Sequence, residues 1–396
     1  MGINIYHQVG HFDKWNIDSF VKDECGDGLI LSPVHQKKTR IEDMSLALKS
    51  KSIFDPQYYL PNSQKQKLSS YPFFPEFISG GFSTSSFEVF ALESARMCVQ
   101  FQIDQGFEKI VIPARFFEQM ASDYIQKQEE YTVIPFLQAI KEKNSSAKNL
   151  LTLPLTSHMV QDEKYRTNIL NWLTSYPELH GVYILINHER PTKQILSEDY
   201  LYSLMVLLKE LRDVELEVVV GHTNTESLLL TLIDDITVTF GSFENTRMFS
   251  IDKFVVSDED RRGPKARIYI PGLMNWIQFP QAMEIRRGDN ALWSEIYRET
   301  DYAEKTFKAA LTKEPTFNQP NLYKHHFICF YEQFTQLKEC SVIERYRLLR
   351  KWLKAGINNH NRVQELFIDL DKHGNDAHLQ PWLNCINRFY RDFLKV

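Results

Sequence analysis

Gly181-Val182-Tyr183-Ile184-Leu185-Ile186 runs straight into Asn187-His188-Glu189-Arg190. Six uncharged residues are too few for a globular helix, and their β-branched and aromatic content suits a strand buried on both faces. The four residues that follow are all polar. An apolar strand that stops abruptly in reactive side chains is what a parallel barrel presents at its C-terminal rim. Seven other runs repeat the pattern: Gly28 to His35, Ser52 to Asp55, Lys109 to Pro113, Leu150 to Leu155, Glu217 to Val220, Ile236 to Phe240 and Ala266 to Ile270. Amphipathic stretches lie between them, among them Ser85 to Gln105, Phe116 to Lys143 and Ser197 to Leu211. The second of these is expected to bend at Pro135, which has no backbone N–H to donate. Eight strands alternating with helices predict a (β/α)8 TIM-type barrel. An open doubly wound sheet would want a glycine-rich first turn, and Pro33-Val34-His35-Gln36-Lys37 contains no glycine.

Two regions depart from a plain barrel. Residues 60–84 read as a long loop insertion rich in Pro, Ser, Gln and Phe, and a loop of that length is commonly functional. From residue 299 the strand-like runs stop. Asn321 to Lys338, Val342 to Ala355, Arg362 to Lys372 and Leu379 to Leu394 read as helices, with Gly356 and Gly374 at helix stops. The expected organisation is a barrel over 1–298 and a C-terminal all-helical extension over 299–396.

The composition bounds the function. A net charge of −5 over 396 residues argues against a generally basic nucleic-acid binder. The sign is uneven, since residues 301–396 hold 15 Lys and Arg against 11 Asp and Glu. The five cysteines, Cys25, Cys98, Cys329, Cys340 and Cys385, are scattered and form no Cys-x-x-Cys, which points to free thiols in a reducing compartment. The first residues lack the basic stretch and apolar core of a signal peptide, and no apolar run approaches a membrane span. A soluble cytoplasmic protein is expected.

The rim can be read off the ends of the runs. The first offers His35 and Lys37, the second Asp55 and Gln57, the third Arg115, the fourth His158 and the fifth His188, Glu189 and Arg190. The sixth offers His222 and Asn224, the seventh Glu244, Asn245 and Arg247, and the eighth Asn275 and Trp276. Asp55, directly after an apolar run, should sit near the barrel axis, where burial raises a carboxyl pKa. Asp55, Glu189, Glu244 and His188 are the candidate catalytic groups. His35, Lys37, Gln57, Arg115, Arg190, His222, Asn224, Asn245 and Arg247 are the candidate substrate ligands, with Arg190 and Arg247 as an anion clamp. One carboxylate serving an oxocarbenium-like centre while another moves protons suits glycosyl transfer or hydrolysis. Neither a nucleophile elbow nor a P-loop nor His-Glu-x-x-His occurs, so no cofactor is assigned. Histidines after four runs offer a rival, a metal-dependent hydrolase, but His35 stands alone without His-x-His and no metal ligand is assigned.

Three segments, in order, resemble the opening third of tRNA-guanine transglycosylases and their relatives in phage-defence modification clusters. Leu31-Ser32-Pro33-Val34 resembles the first barrel strand of that family, Asp55-Pro56-Gln57-Tyr58-Tyr59-Leu60-Pro61 its second strand end, and Ser79-Gly80-Gly81-Phe82 its Asp-Ser-Gly-Gly-Phe-Gln signature. The family's aspartate and glutamine around the last motif are Ile78 and Ser83 here, and its cysteine-rich zinc site has no counterpart. The resemblance implies base or glycosyl transfer on a nucleotide, nucleic acid or other anionic substrate. An alternative from another class is a non-catalytic binding or scaffold subunit of a multi-protein, phage-defence-like system, docking a protein partner through the aromatic and basic C-terminal helices.

Overall fold

The computed structural model describes residues 2–60, 63, 65–74, 84–255 and 263–395, with 84–89 as backbone only. Eight parallel strands form one sheet: β1 Asn4–Gln8, β2 Gly28–Leu31, β3 Ser52–Phe54, β4 Ile110–Ile112, β5 Asn149–Thr156, β6 Gly181–Asn187, β7 Glu217–Val220 and β8 Ile236–Gly241. Their order, β3-β2-β1-β8-β7-β6-β5-β4, brings the sheet round on itself. The remaining seam is bridged where the Glu108 N–H donates to the Ser52 carbonyl at 3.0 Å. Helices cover the outside, giving a nearly closed (β/α)8 barrel with a helical C-terminal region. The interior is packed rather than open: Tyr6, Ile30, Ile53, Val111, Leu150, Tyr183 and Val219 fill it.

Two strands differ from the sequence reading, and the difference renumbers the rim. The first barrel strand is Asn4–Gln8, which paired signals did not mark because three of its five residues are polar. His7 is nonetheless fully buried, its ring held by the Cys25 carbonyl at 2.8 Å and Asn16 at 3.2 Å and packed on Phe240. The run Ala266 to Ile270, expected as the eighth barrel strand, instead supplies β9 Arg267–Ile270. It pairs antiparallel with β10 Asn275–Gln278 outside the barrel. A short apolar run reads the same in either setting, because both of its faces are covered in each. Ile268, Ile270, Leu273 and Ile277 pack with Phe279, Trp293 and Phe307 in a second core.

The expected bend near Pro135 takes a particular form. A π-helical turn, Glu129–Val133, separates the helices Tyr124–Gln128 and Ile134–Glu142, so Pro135 falls in the first turn of the latter, where no N–H is required. Gly356 is not a stop. The helix Val342–Glu365 runs through it, and its bare Cα admits the Leu379 methyl, which would meet an added Cβ at 3.1 Å. The five cysteines are free and four are buried.

The C-terminal helices share the barrel's core. Phe327, Phe330, Leu349, Leu353, Trp382 and Ile386 belong to the same buried cluster as the strands. Arg345 donates to the Thr231 carbonyl at 3.0 Å and to Asp234 at 2.8 Å. Trp382, in the helix Leu379–Phe389, is wholly buried and its indole N–H donates to the Ile195 carbonyl at 2.8 Å. No helix among the described residues is long and apolar enough to cross a membrane. Because Trp382 fills a site formed jointly with the barrel, Trp382→Ala should destabilise the whole chain by about 3–5 kcal/mol. Urea unfolding should show one transition moved to lower denaturant. A barrel transition left in place would mean that the helices fold separately.

Candidate functional site

Asp55 leaves the end of β3 pointing into the barrel and is wholly buried. Its Oδ1 accepts from the Tyr59 hydroxyl at 2.7 Å and from the Gln57 N–H at 3.0 Å. Its Oδ2 is buried with no partner among the described residues. Burial pushes the carboxyl up to about 6, against the opposing pull of the Tyr59 hydrogen bond and the Lys253 ammonium. Lys253 comes from the 3-10 turn Ile251–Phe254 beyond β8. Its Nζ lies 3.1 Å from His222 Nε2, with the rings of Phe249 and Phe254 at 5.2 and 5.8 Å. Burial of the ammonium brings its pKa down to about 7, with the Asp55 charge working the other way.

Two histidines complete this centre. His222, after β7, is buried and held well below the ordinary imidazole range by burial and then by Lys253. His35, after β2, is pushed down to about 3, by burial first and then by Lys253 and Lys67. Its Nε2 has no partner among the described residues. Both rings are therefore neutral. Gln8 ties the floor together, its Oε1 accepting from the His222 N–H at 3.3 Å and from the Tyr183 hydroxyl at 3.4 Å. Gln57 and His222 both adopt left-handed backbone, at φ 61° and 55°, a conformation that non-glycine residues keep only where surroundings enforce it. Above, Phe249 and Phe254 stand edge-on to Tyr59 at 5.2 and 5.4 Å and roof the mouth.

A second cluster lies beside the first, between the ends of β6, β7 and β8 and the β9–β10 hairpin. Arg190 pairs with Glu226 at 2.8 Å, both side chains almost completely buried. The Asn224 N–H also donates to Glu226, at 3.1 Å. Arg247 reaches Asn224 Oδ1 at 3.4 Å and lies 4.2 Å over the Trp276 ring. Renumbering the strands puts Gly241 to Arg247 after β8 rather than a seventh strand, and His222 to Asn224 after β7. These are the two strand ends where such barrels hold phosphate groups.

The structure gathers some candidate residues and disperses others. Asp55, Gln57, His35 and His222 meet at the mouth, and Arg190, Asn224 and Arg247 meet in the neighbouring cluster. Glu189 is exposed. Glu244 pairs with Lys193 at 2.8 Å, and its carboxyl sits below the ordinary range through that pairing despite partial burial. Neither hydrogen-bonds to a group at the mouth. Lys37 and His158 are exposed, and Asn245 contributes only its carbonyl, 3.5 Å from Lys253. His188 stacks on Tyr200 at 4.0 Å, burial bringing it down to about 4. Arg115 lies 4.0 Å over Tyr131, its backbone bracketed by Gln128. Asn275 and Trp276 stand on the hairpin rather than on a barrel strand. Ser79, Gly80 and Gly81 lie outside the described residues. Sequence reasoning missed Lys253, Glu226 and Gln8. Only Glu226 carried a signal, two positions beyond Asn224 at a strand end.

Among the described residues no three His, Cys, Asp or Glu side chains converge so as to hold a metal ion. Of the histidines expected of a metal-dependent hydrolase, His35 and His222 lie at the mouth, while His158 is exposed beside Tyr165 and His188 stacks on Tyr200. Compared with protein-family models, curated proteins and solved structures, the chain matches none.

The raised Asp55 carboxyl has a measurable consequence. The folded state holds that proton more tightly than the unfolded chain, so the stabilisation is complete below the ordinary carboxylate range and is lost as pH rises through about 6. Asp55→Asn keeps the acceptor for Tyr59 and Gln57 while removing the titration. Relative to that variant, the wild type should lose on the order of 2–3 kcal/mol between about pH 4 and pH 7. Parallel urea-unfolding profiles across that range would mean that Asp55 titrates as an ordinary carboxyl.

Proposed function

We propose that this protein is an enzyme that transfers or hydrolyses a glycosyl bond of an anionic, nucleotide-like substrate at the barrel mouth. The observation that carries the reading is the division of labour on Asp55: Oδ1 is pinned by Tyr59 and Gln57 while Oδ2 is buried and unengaged. A carboxylate held that way needs no reorganisation to meet a cationic carbon. Asp55 Oδ2 attacks the anomeric carbon as the bond to the leaving group breaks, and the Lys253 ammonium gives its proton to the departing atom. The neutral Lys253 amine then takes a proton from water or from an acceptor hydroxyl, which displaces Asp55 and releases the product. His222, neutral and 3.1 Å from Lys253, orients the ammonium and accepts its hydrogen bond. Lys253 thus takes the proton-moving role first expected of Glu189 or Glu244.

The segmental resemblance to transglycosylases supports the same reaction class, since Asp55 lies in the second of its three segments. A binding or scaffold role is the second reading, favoured by the aromatic roof of Phe249 and Phe254 over Tyr59.

Turnover should be sought with a panel of nucleosides, nucleotides and phosphorylated ribosides, following base release or exchange by mass spectrometry. Asp55→Asn should lower kcat by about 10²–10⁴-fold, and a 2-fluoro sugar should leave a glycosyl adduct on Asp55. Full activity in Asp55→Asn, or an adduct elsewhere, would end the assignment. Binding without turnover by the wild type would favour the scaffold reading. For an active enzyme, kcat/KM should be bell-shaped, rising as Asp55 ionises near 6 and falling as Lys253 loses its proton near 7. Lys253→Met should remove the alkaline limb.

A further inference from the structure

The second cluster has a charge imbalance that its own residues do not resolve. Arg190 and Glu226 form one buried pair, with side chains 6% and 1% exposed. Only Arg190 Nη2 is engaged there, and its Nε and Nη1 are buried without a partner among the described residues. Among the described residues no carboxylate lies within hydrogen-bond distance of Arg247. Its contacts are the Asn224 amide oxygen and the face of Trp276, and its Nε is buried and unpartnered. Trp276 is itself buried and its indole N–H is unpartnered. Glu244 and Glu226 act on Arg247 only across space, without a hydrogen bond to it. Glu244 is committed to Lys193, His326 is held neutral by burial, and the Tyr323 hydroxyl donates to the Phe317 carbonyl. Two guanidinium groups therefore share one buried carboxylate. An excess buried cation is costly unless a counter-charge reaches it.

We infer that the cluster of Arg190, Arg247 and Trp276, between the ends of β6, β7 and β8 and the β9–β10 hairpin, is an oxyanion site that takes the terminal phosphate of the substrate. Guanidinium N–H groups match phosphate oxygens in geometry as well as charge. The cluster joins the catalytic centre along the backbone from His222 to Asn224, whose side chains face Lys253 and Arg247 respectively. The inference rests on the reading of the mouth as a substrate site, and it gives that substrate a phosphomonoester end. Glu226 has a part of its own. It holds Arg190 in place when the site is free and limits affinity, so that a product can leave.

Inorganic phosphate is the probe, titrated into the full chain at constant ionic strength against chloride and followed by calorimetry and thermal unfolding. The wild type should bind phosphate selectively, with a Tm rise of about 2 °C or more near saturation. Arg247→Gln should abolish the response, and Trp276→Phe, which keeps the stacked ring but not the N–H, should weaken it about threefold or more. Glu226→Gln removes the competing charge and should tighten binding about tenfold. Ribose 5-phosphate should displace phosphate and ribose should not. The inference falls if the wild type responds to phosphate as it does to chloride, if Arg247→Gln responds like the wild type, or if ribose 5-phosphate fails to displace. Should Arg247→Gln not fold, unchanged or weaker binding in Glu226→Gln would overturn it as well. Asp55→Asn should bind phosphate like the wild type, so loss of turnover and loss of this site are read separately.

Discussion

The parallel pairing of β1 with β8 is the contact on which the rest of the molecule depends. It joins residues 4–8 to residues 237–241, so the barrel cannot form until nearly two thirds of the chain is in place. Its effects reach both ends of the sheet. Pairing sets His7 against Phe240, and Phe327 of the helix Pro320–Lys338 then closes on that ring pair. The C-terminal region is thereby seated on the barrel through the same residues that close it. At the rim the pairing delivers Gln8 to His222 and Tyr183. It also brings Gly10 and Gly241 against Thr246, so closely that a Cβ on either glycine would overlap that side chain. The turn after β8 can fold back over the mouth only because those two positions are bare.

This dependence explains which parts of the structure were legible. Seven of the eight barrel strands read correctly because each is a short apolar run covered on both faces, and hydrophobic patterning reports that covering directly. Asn4–Gln8 was not legible. Its His7 and Gln8 are buried by partners nine or more residues away in sequence, and a polar side chain that is satisfied at long range looks locally like one that is solvated. Ala266 to Ile270 failed in the opposite sense, since burial alone does not say which core does the burying. At the site, Asp55 stood out because it follows an apolar run. Lys253 did not, because a lysine in Ile251-Asp252-Lys253-Phe254 has the local pattern of a surface turn. Its burial comes from the fold-back over Tyr59, a tertiary event with no short-range trace.

The two clusters divide the electrostatic work. At the mouth every titratable group is drawn toward neutrality. Asp55 moves up, Lys253, His35 and His222 move down, and burial is the leading cause in each case. Of these, Asp55 and Lys253 are brought close enough to neutral pH to exchange protons there at little cost, while the two imidazoles stay neutral. In the adjoining cluster burial has the same sign of effect on Arg247, but a guanidinium remains charged. The outcome is a mouth of near-neutral groups beside a permanent cation. Such an arrangement suits a substrate that is neutral where it reacts and anionic where it is held. Of the two residues expected to supply the second carboxylate beside Asp55, Glu189 faces solvent and Glu244 pairs with Lys193.

Backbone strain is found at the mouth itself. Gln57 and His222 hold left-handed conformations, each of which costs on the order of 1–3 kcal/mol for a residue with a side chain. A glycine at either position would relieve that cost and preserve the turn. Both side chains and both N–H groups, however, are in use at the mouth. The Gln57 N–H pins Asp55 Oδ1 while its side chain accepts from the Val34 N–H, and the His222 N–H reaches Gln8 while its ring meets Lys253. The strain is therefore the condition for placing a pinned carboxylate and an oriented ammonium in the same mouth. Neither turn is needed to close the barrel, which is held by the β1–β8 pairing. Under the proposed reading, the two turns are what hold Asp55 and Lys253 in one mouth with Asp55 Oδ2 left unengaged.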